Sequence, residues 1–353
     1  MPLRGNVLKP LVFRCVLFHL SGMFAALLAI PLLALFAGAD AVHAQGTPAP
    51  GSGAAGATAA RPMRVLVGFL PGSSNDMIGR FVGTRLAERM GTQAVIDNRP
   101  GAGGIIANEL AANANPDGNT LLLTSISHTM GAAVYKLPYD PIRSFTPIGM
   151  IGTGPLLLVA QNALPAANVK ELIDLARAKP ETLTFASAGT GGVNHFAGEL
   201  FSRMTGVKMI HVAYKGGAPA LTDVMGGQVN LMFATMPLAL RQVRAGKVRA
   251  LGVTSAKRSA LLPEVPTVAE AGVPGYELTM WWGLLAPAGV PVPLADRLNS
   301  ELGQILGQPD SAQRLEAEGA EPRAMTRSAF ARLIASDLDQ WRRVAREANI
   351  RAE

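Results

Sequence analysis

Short apolar runs alternate with stretches of helical periodicity from Met63 onward. The runs Met63 to Phe69, Gln93 to Asp97 and Thr120 to Thr124 are typical of buried strands. Between them, apolar side chains recur every three or four residues from Met77 to Met90 and from Ile105 to Ala114, which predicts two helices. A βαβαβ order predicts a parallel sheet with helices on both faces.

A second unit of the same kind follows. Its predicted elements are helix Val169 to Ala178, strand Leu183 to Ala186, helix His195 to Thr205, strand Met209 to Val212, helix Ala218 to Met225, strand Val229 to Phe233 and strand Ala250 to Thr254. The segment Pro147 to Pro155 is rich in glycine and proline and is predicted to connect the two units.

The last stretch, Leu294 to Asn349, has helical periodicity and no strand pattern, so we expect it to pack back onto the first unit. A chain that returns in this way crosses between the units twice, and we place the crossings near Val159-Ala160 and Trp282-Leu284. Two crossings make a hinge, and a cleft between hinged units is a common ligand site.

The amino terminus predicts export. A basic start precedes an almost continuous apolar run, Val16 to Phe36, and Val42-His43-Ala44 is typical of a cleavage site. We predict a signal peptide over residues 1–44 and a flexible linker over 45–62, rich in glycine, alanine and proline. The alternative is a membrane anchor, because the apolar run approaches the ~20 residues that a span needs.

Composition narrows the function classes. The chain has 353 residues, of which 49% are hydrophobic and 16% charged, so disorder is excluded. Its net charge of +7 is dispersed, which argues against nucleic-acid binding. The single cysteine, Cys15, excludes a disulfide framework. His128, His195 and His211 lack metal-ligand spacing, and no dinucleotide or phosphate-loop motif is complete, so we expect neither metal nor cofactor.

Two glycine-containing loops lie between a predicted strand and a predicted helix, where helix amides attract anions. The first loop, Phe69 to Asp76, offers Phe69, Gly72, Ser73, Ser74 and Asp76 as ligand-binding residues, with Asp76 favoured as the helix N-cap. The second loop, Ser187 to Asn194, offers Ser187, Gly189, Thr190, Gly191 and Asn194, with Asn194 as a candidate cap. Four or five such donors suffice to hold a small carboxylate without arginine.

Other candidates are less specific. Thr124, Ser125 and Ser127 end a predicted strand and are able to line the cleft, although ordinary loop polarity explains them equally well. Lys215 follows another predicted strand, where it either contacts ligand or is a solvated turn residue.

Several longer motifs resemble one family. Leu137-Pro138-Tyr139-Asp140-Pro141, the stretch Ala213 to Ala220 with Asp223, Gly226-Gly227-Gln228-Val229 and Leu262 to Thr267 resemble the Bug-type extracytoplasmic receptors of the tripartite tricarboxylate transporter family. The resemblance runs from about Met63 to the carboxyl terminus. Ser73 departs from it, because the family commonly has glycine at that position.

The resemblance implies an α/β fold of two lobes with parallel-rich sheets, a type II (Venus-flytrap) periplasmic binding protein. Lobe 1 then comprises residues 63–160 and 284–353, and lobe 2 residues 161–283. It implies a monomeric receptor that closes on a small organic carboxylate, with Asp223 among its binding residues and a membrane permease or sensor as partner. The alternative is an exported hydrolase or isomerase that uses His195 or Asp76 as a base.

Overall fold

The computed structural model describes residues 61–351, so the predicted signal peptide and nearly all of the predicted linker lie outside the described residues. The strands of this part of the chain are β1 (Met63–Val67), β2 (Ala94–Asn98), β3 (Thr120–Ser125), β4 (Phe145–Ala160), β5 (Thr184–Ser187), β6 (Ile210–Ala213), β7 (Leu231–Thr235), β8 (Arg249–Val253), β9 (Thr279–Pro287) and β10 (Glu321–Pro322).

The helices lie between and after these strands. They are α1 (Ser74–Arg89), α2 (Ile105–Ala112), α3 (Ser127–Val134), α4 (Val169–Ala178), α5 (Val193–Thr205), α6 (Gly217–Met225), α7 (Met236–Arg244), α8 (Val292–Leu306), α9 (Pro309–Ala317) and α10 (Arg327–Glu347). None of the helices within residues 61–351 combines the length and the apolar character needed to cross a membrane.

The first sheet confirms the predicted parallel unit. β1 pairs in parallel with β2 on one side and with β3 on the other. β9 then pairs antiparallel with both β3 and β4, so the complete sheet is mixed. The residues at the centres of β1 and β3, Val65 to Val67 and Leu121 to Leu123, are all apolar and buried, as a sheet covered on both faces requires.

The segment Pro147 to Pro155 connects the two units as predicted, but it does so as the middle of strand β4, which was not predicted. The strand pairs with β9 as far as Pro155 and with β7 and β8 from Leu156 onward, so it continues from the first sheet into the second. Two of its glycines let another stretch of backbone pack directly against the strand. A Cβ on Gly152 or Gly154 would lie 2.6 or 2.0 Å from a backbone oxygen of the segment before α10.

In the second sheet, β5 lies between β6 and β7 and pairs in parallel with both. β7 begins at Leu231 rather than at the predicted Val229, because the amides of Gln228 and Val229 donate to the Asp223 carbonyl and close the end of α6. The division of the chain into lobes at residues 160 and 283 stays a prediction.

Four other elements differ from the sequence analysis. The short helix α3 and the helix α7 were not predicted, and neither was β9. The carboxyl-terminal stretch is helical as predicted, but it does contain one strand, the two-residue β10, which pairs with β4.

Helix α5 lies very close to β5, and this contact positions the second loop. A Cβ on Gly198 would stand 2.3 Å from the ring of Phe185, a fully buried side chain. Because interiors are close-packed, this ring has little room to move.

We therefore expect Gly198→Ala to lower the free energy of unfolding by about 1–2 kcal/mol, since overpacking outweighs the ~1 kcal/mol that alanine gains in a helix. Gly303→Ala in α8 is the matched control, because a Cβ there would have no neighbouring atom within 4 Å and only the helix preference remains. Urea unfolding measures both variants. A Gly198→Ala protein as stable as the Gly303→Ala protein contradicts the close packing.

Candidate ligand-binding site

The first loop ends in a helix cap formed by Ser73. The Ser73 hydroxyl accepts the amide of Asp76 at 3.3 Å, and its backbone has the extended conformation of an N-cap. The prediction that Asp76 caps α1 was therefore wrong. A serine three residues before an acidic residue follows the order of a capping box, in which the serine is the cap.

Asp76 instead holds the loop from inside. Its buried carboxylate accepts the Gly72 amide at 2.9 Å, the Asn98 side chain at 2.9 Å and the Arg80 guanidinium at 3.0 Å. Burial opposes ionisation, but these hydrogen bonds outweigh it, and the pKa of Asp76 lies below its ordinary value. The carboxylate is thus fully occupied and a poor general base.

The second loop is held in a similar way. The Ser187 hydroxyl accepts the Gly189 amide, and Nδ1 of His195 accepts the Gly191 amide, both at 3.1 Å. Asn194 does not cap α5, contrary to the prediction: the N-cap position belongs to Gly192, and the Asn194 side chain donates to the Phe233 carbonyl of β7. Asn194 therefore ties the start of α5 to the neighbouring strand.

Two stacked histidines lie behind this loop. The rings of His195 and His211 have centroids 3.7 Å apart, and Nε2 of His211 is 2.6 Å from the Ser187 hydroxyl. Burial, together with the nearby His195, lowers the pKa of His211 to about 4, so His211 is neutral at pH 7. Because Nδ1 of His195 is occupied by the Gly191 amide, the pair supports the loop and is poorly placed for proton abstraction.

The free amides of the two loops include those of the first turns of the helices and that of Thr190. Gly72, Gly189 and Gly191, which have positive φ angles, give their N–H groups to internal acceptors. Across residues 61–351, by contrast, no acceptor is found for the five amides at or next to the helix starts, those of Ser74, Asn75, Thr190, Val193 and Asn194, nor for those of Phe69, Leu70 and Ala188. Such donors, at the positive ends of helix dipoles, are suited to an anion.

Helix α3 connects the two loops. At its amino-terminal end, the Ser127 hydroxyl contacts that of Ser125 at 3.1 Å, and Ser125 is 3.4 Å from the amide nitrogen of the Asn75 side chain. Just beyond its other end, the Tyr135 hydroxyl donates to the carbonyl of Thr190 at 3.4 Å. An eight-residue helix is about 12 Å long, so the two loops lie near each other and not on distant surfaces.

The remaining predicted residues take different positions. Phe69 is half-buried, and its carbonyl accepts the Asn98 side chain. Thr124 is buried in β3 opposite Gly283. Asp223 accepts the hydroxyl of Tyr214 at 2.7 Å and so fixes this ring beside the second loop.

Lys215 follows β6 next to the second loop, since the Tyr214 amide donates to the Ser187 carbonyl. Its side chain is exposed, and residues 61–351 supply no carboxylate partner for it. The ammonium group is thus available to an anionic ligand, as one of the two interpretations of this residue requires.

The sequence analysis missed two contributors. Trp282 of β9 donates to the Asn75 side chain at 2.9 Å, and this bond joins residues that are far apart in the chain, so no local pattern shows it. α7 begins at the carboxyl end of β7, with Thr235 as N-cap and Pro237 in the first turn. Threonine followed closely by proline is a helix-start signal that was available in the sequence.

Two surface depressions lie away from these loops. One, of about 310 Å³, is lined by residues of β4, α8 and the segment before α10, and the other, of about 470 Å³, lies at the ends of α4 and α5. Neither contains a predicted site residue. Among residues 61–351, no group of three or more His, Cys, Asp or Glu side chains is placed to hold a metal ion.

Known proteins resemble this chain over most of its length. BugT of Bordetella pertussis is 34% identical over 82% of this chain and 89% of BugT. Among solved structures, R. palustris Rpa4515 with adipate is 36% identical, with a TM-score of 0.75 over 83% of this chain and 98% of that one. MatC from Rhodopseudomonas palustris with bound malate is 32% identical, with a TM-score of 0.72 over 81% of this chain and 99% of MatC.

The structure of the periplasmic binding protein BugD is 33% identical, with a TM-score of 0.73 over 83% of this chain and 99% of BugD. These matches confirm the predicted α/β fold of two-lobed periplasmic binding proteins and the Bug-type resemblance. They also favour a solute receptor over an enzyme. Residues 78–350 match the family described as "Tripartite tricarboxylate transporter family receptor", and the chain belongs to this family.

Proposed function

We propose that this protein is a periplasmic receptor that captures a small organic carboxylate between the first and second loops. The observation that carries the proposal is the set of five free amides, which α3 brings to one region. Adipate and malate, the ligands of two related structures, are both small carboxylates. The receptor acts as a monomer after cleavage of residues 1–44 and delivers its ligand to a membrane permease or to a sensor.

The binding free energy expected from these hydrogen bonds is sufficient to hold a small carboxylate. Each hydrogen bond to a charged group contributes about 1.5–3 kcal/mol. Four or five of these bonds, less the cost of ordering the ligand, reach the ~8 kcal/mol of micromolar binding. Lys215 adds attraction over a longer range and raises the rate of encounter with anions.

Thermal unfolding of dialysed protein against mono-, di- and tricarboxylates tests the ligand class. At a hundred times its Kd, a true ligand stabilises the protein by about 2.7 kcal/mol, which raises the melting temperature by several degrees. Uncharged amides of the same carbon skeletons are the matched controls and leave the transition unchanged. If no carboxylate in a broad panel shifts the transition, the proposed function is wrong.

A single amide is removed most cleanly by proline at the first position of a helix. Val193 is the first residue of α5, and the preceding Gly192 has φ −79° and ψ 165°, which a following proline accepts. We expect Val193→Pro to weaken carboxylate binding by about 10- to 100-fold, the loss of one hydrogen bond to a charged group. Because the half-buried Val193 side chain packs against the core, a modest loss of stability accompanies the substitution. Isothermal titration measures the affinity.

Val292→Pro is the matched control. Val292 is the first residue of α8, and its side chain is 62% exposed. Leu294, in the same turn of the helix, lies against Gly118 in the turn that precedes β3, away from both loops. This variant retains wild-type affinity. Equal affinities for the Val193→Pro and Val292→Pro proteins, with both folded, contradict the role of the α5 amides.

A further inference from the structure

Glu318 carries a carboxyl group that forms no salt bridge with any residue of the described chain. It follows α9 directly and is half-buried, and residues 61–351 place no arginine, lysine or histidine within salt-bridge distance of it. Its hydrogen bond comes from the Ser74 hydroxyl in the first loop. Burial raises the pKa of Glu318, and the bond from Ser74 opposes that rise only in part. A partly buried carboxylate of this kind gains much from a positively charged partner.

The segment around Glu318 lies where the two sheets meet. A Cβ on the next residue, Gly319, would stand 2.8 Å from both Met236 and Pro237 in the first turn of α7. The carbonyl of Gly319 lies against Gly154 of β4, at the point where that strand passes into the second sheet. Glu318 therefore borders the same region as the first loop and α7.

Lys215 borders this region from the other side. A Cβ on Gly217, two residues after Lys215, would stand 2.9 Å from Leu238, which also belongs to the first turn of α7. One turn of helix thus separates the segments that carry an unpaired carboxylate and an unpaired ammonium group. The free amides of both loops and Lys215 favour a negative charge, whereas Glu318, which borders the first loop, favours a positive one.

We propose that Glu318 determines ligand specificity by binding an ammonium group, so that the preferred ligand is a zwitterion whose carboxylate is held by the free amides of the loops and by Lys215. This inference rests on the proposed function and narrows its ligand class to amino-bearing carboxylates. Glu318 discriminates by repulsion as well as by attraction. The far carboxylate of a diacid, placed beside Glu318, would meet a like charge, and one of the two groups would have to take up a proton.

Matched pairs of ligands test the inference, because they differ only at one end. The pairs are 4-aminobutyrate and succinate, 5-aminopentanoate and glutarate, and 6-aminohexanoate and adipate, titrated calorimetrically into the purified protein at pH 7. We expect the wild-type protein to bind the amino acid about tenfold or more tightly than the diacid of the pair that fits the site. Glu318→Gln keeps the shape of the side chain and removes its charge, and we expect it to reverse this preference.

Glu316→Gln is the matched control. Glu316 is exposed on the same helix, and the substitution makes the same change in net charge two residues away. Its ligand preference stays that of the wild type, and urea unfolding checks that both variants are folded.

Two results overturn the inference and leave the proposed function intact: a wild-type protein that binds diacids at least as tightly as their amino counterparts, or a Glu318→Gln protein with an unchanged preference. Failure of every amino acid in the series, while other carboxylates bind, does the same. Failure of all carboxylates refutes the proposed function itself.

Discussion

A helix cannot satisfy the amides of its own first turn, and this constraint governs the whole site. Where a helix follows a parallel strand, these amides lie at the carboxyl edge of the sheet. Here the strands β1 and β5 end in such junctions. The positive-φ glycines of both loops turn the chain, and their own amides are consumed by Asp76, Ser187 and His195. What remains for a ligand is chiefly the first turn of each helix.

The two junctions belong to different sheets, so their usefulness depends on the elements that join the sheets. β4 runs through both, and its glycines let the carboxyl-terminal segment approach its backbone. Trp282, in the strand beside it, orients Asn75 through a direct hydrogen bond. The strand that holds the sheets together is therefore coupled, through one indole, to an amide-bearing residue of the first loop.

The parallel strands could be predicted because their signals are local: apolar runs, helical periods and turn residues in succession. β4 could not, since its glycines and prolines are typical of a connection, whereas in the structure Gly152 and Gly154 admit another backbone. The loops were located correctly from the sequence. The roles of Asp76 and Asn194 were not, because each helix begins two or three residues earlier than predicted. Glu318 reaches the first loop only through tertiary packing, and no spacing in the sequence shows it.

Two carboxyl groups near the start of α1 show why position alone does not decide what a site binds. Asp76 is buried, but its charge is balanced by Arg80 and by hydrogen bonds from Gly72 and Asn98, so it contributes little net repulsion to an incoming anion. Glu318 has a single hydroxyl partner and, among residues 61–351, no cation. A partly buried charge without a counterion costs free energy. A positively charged ligand group bound beside Glu318 would remove this cost. In the site that we propose, the amides of the loops bind the carboxylate, and the balance between Glu318 and Lys215 decides which carboxylate is preferred.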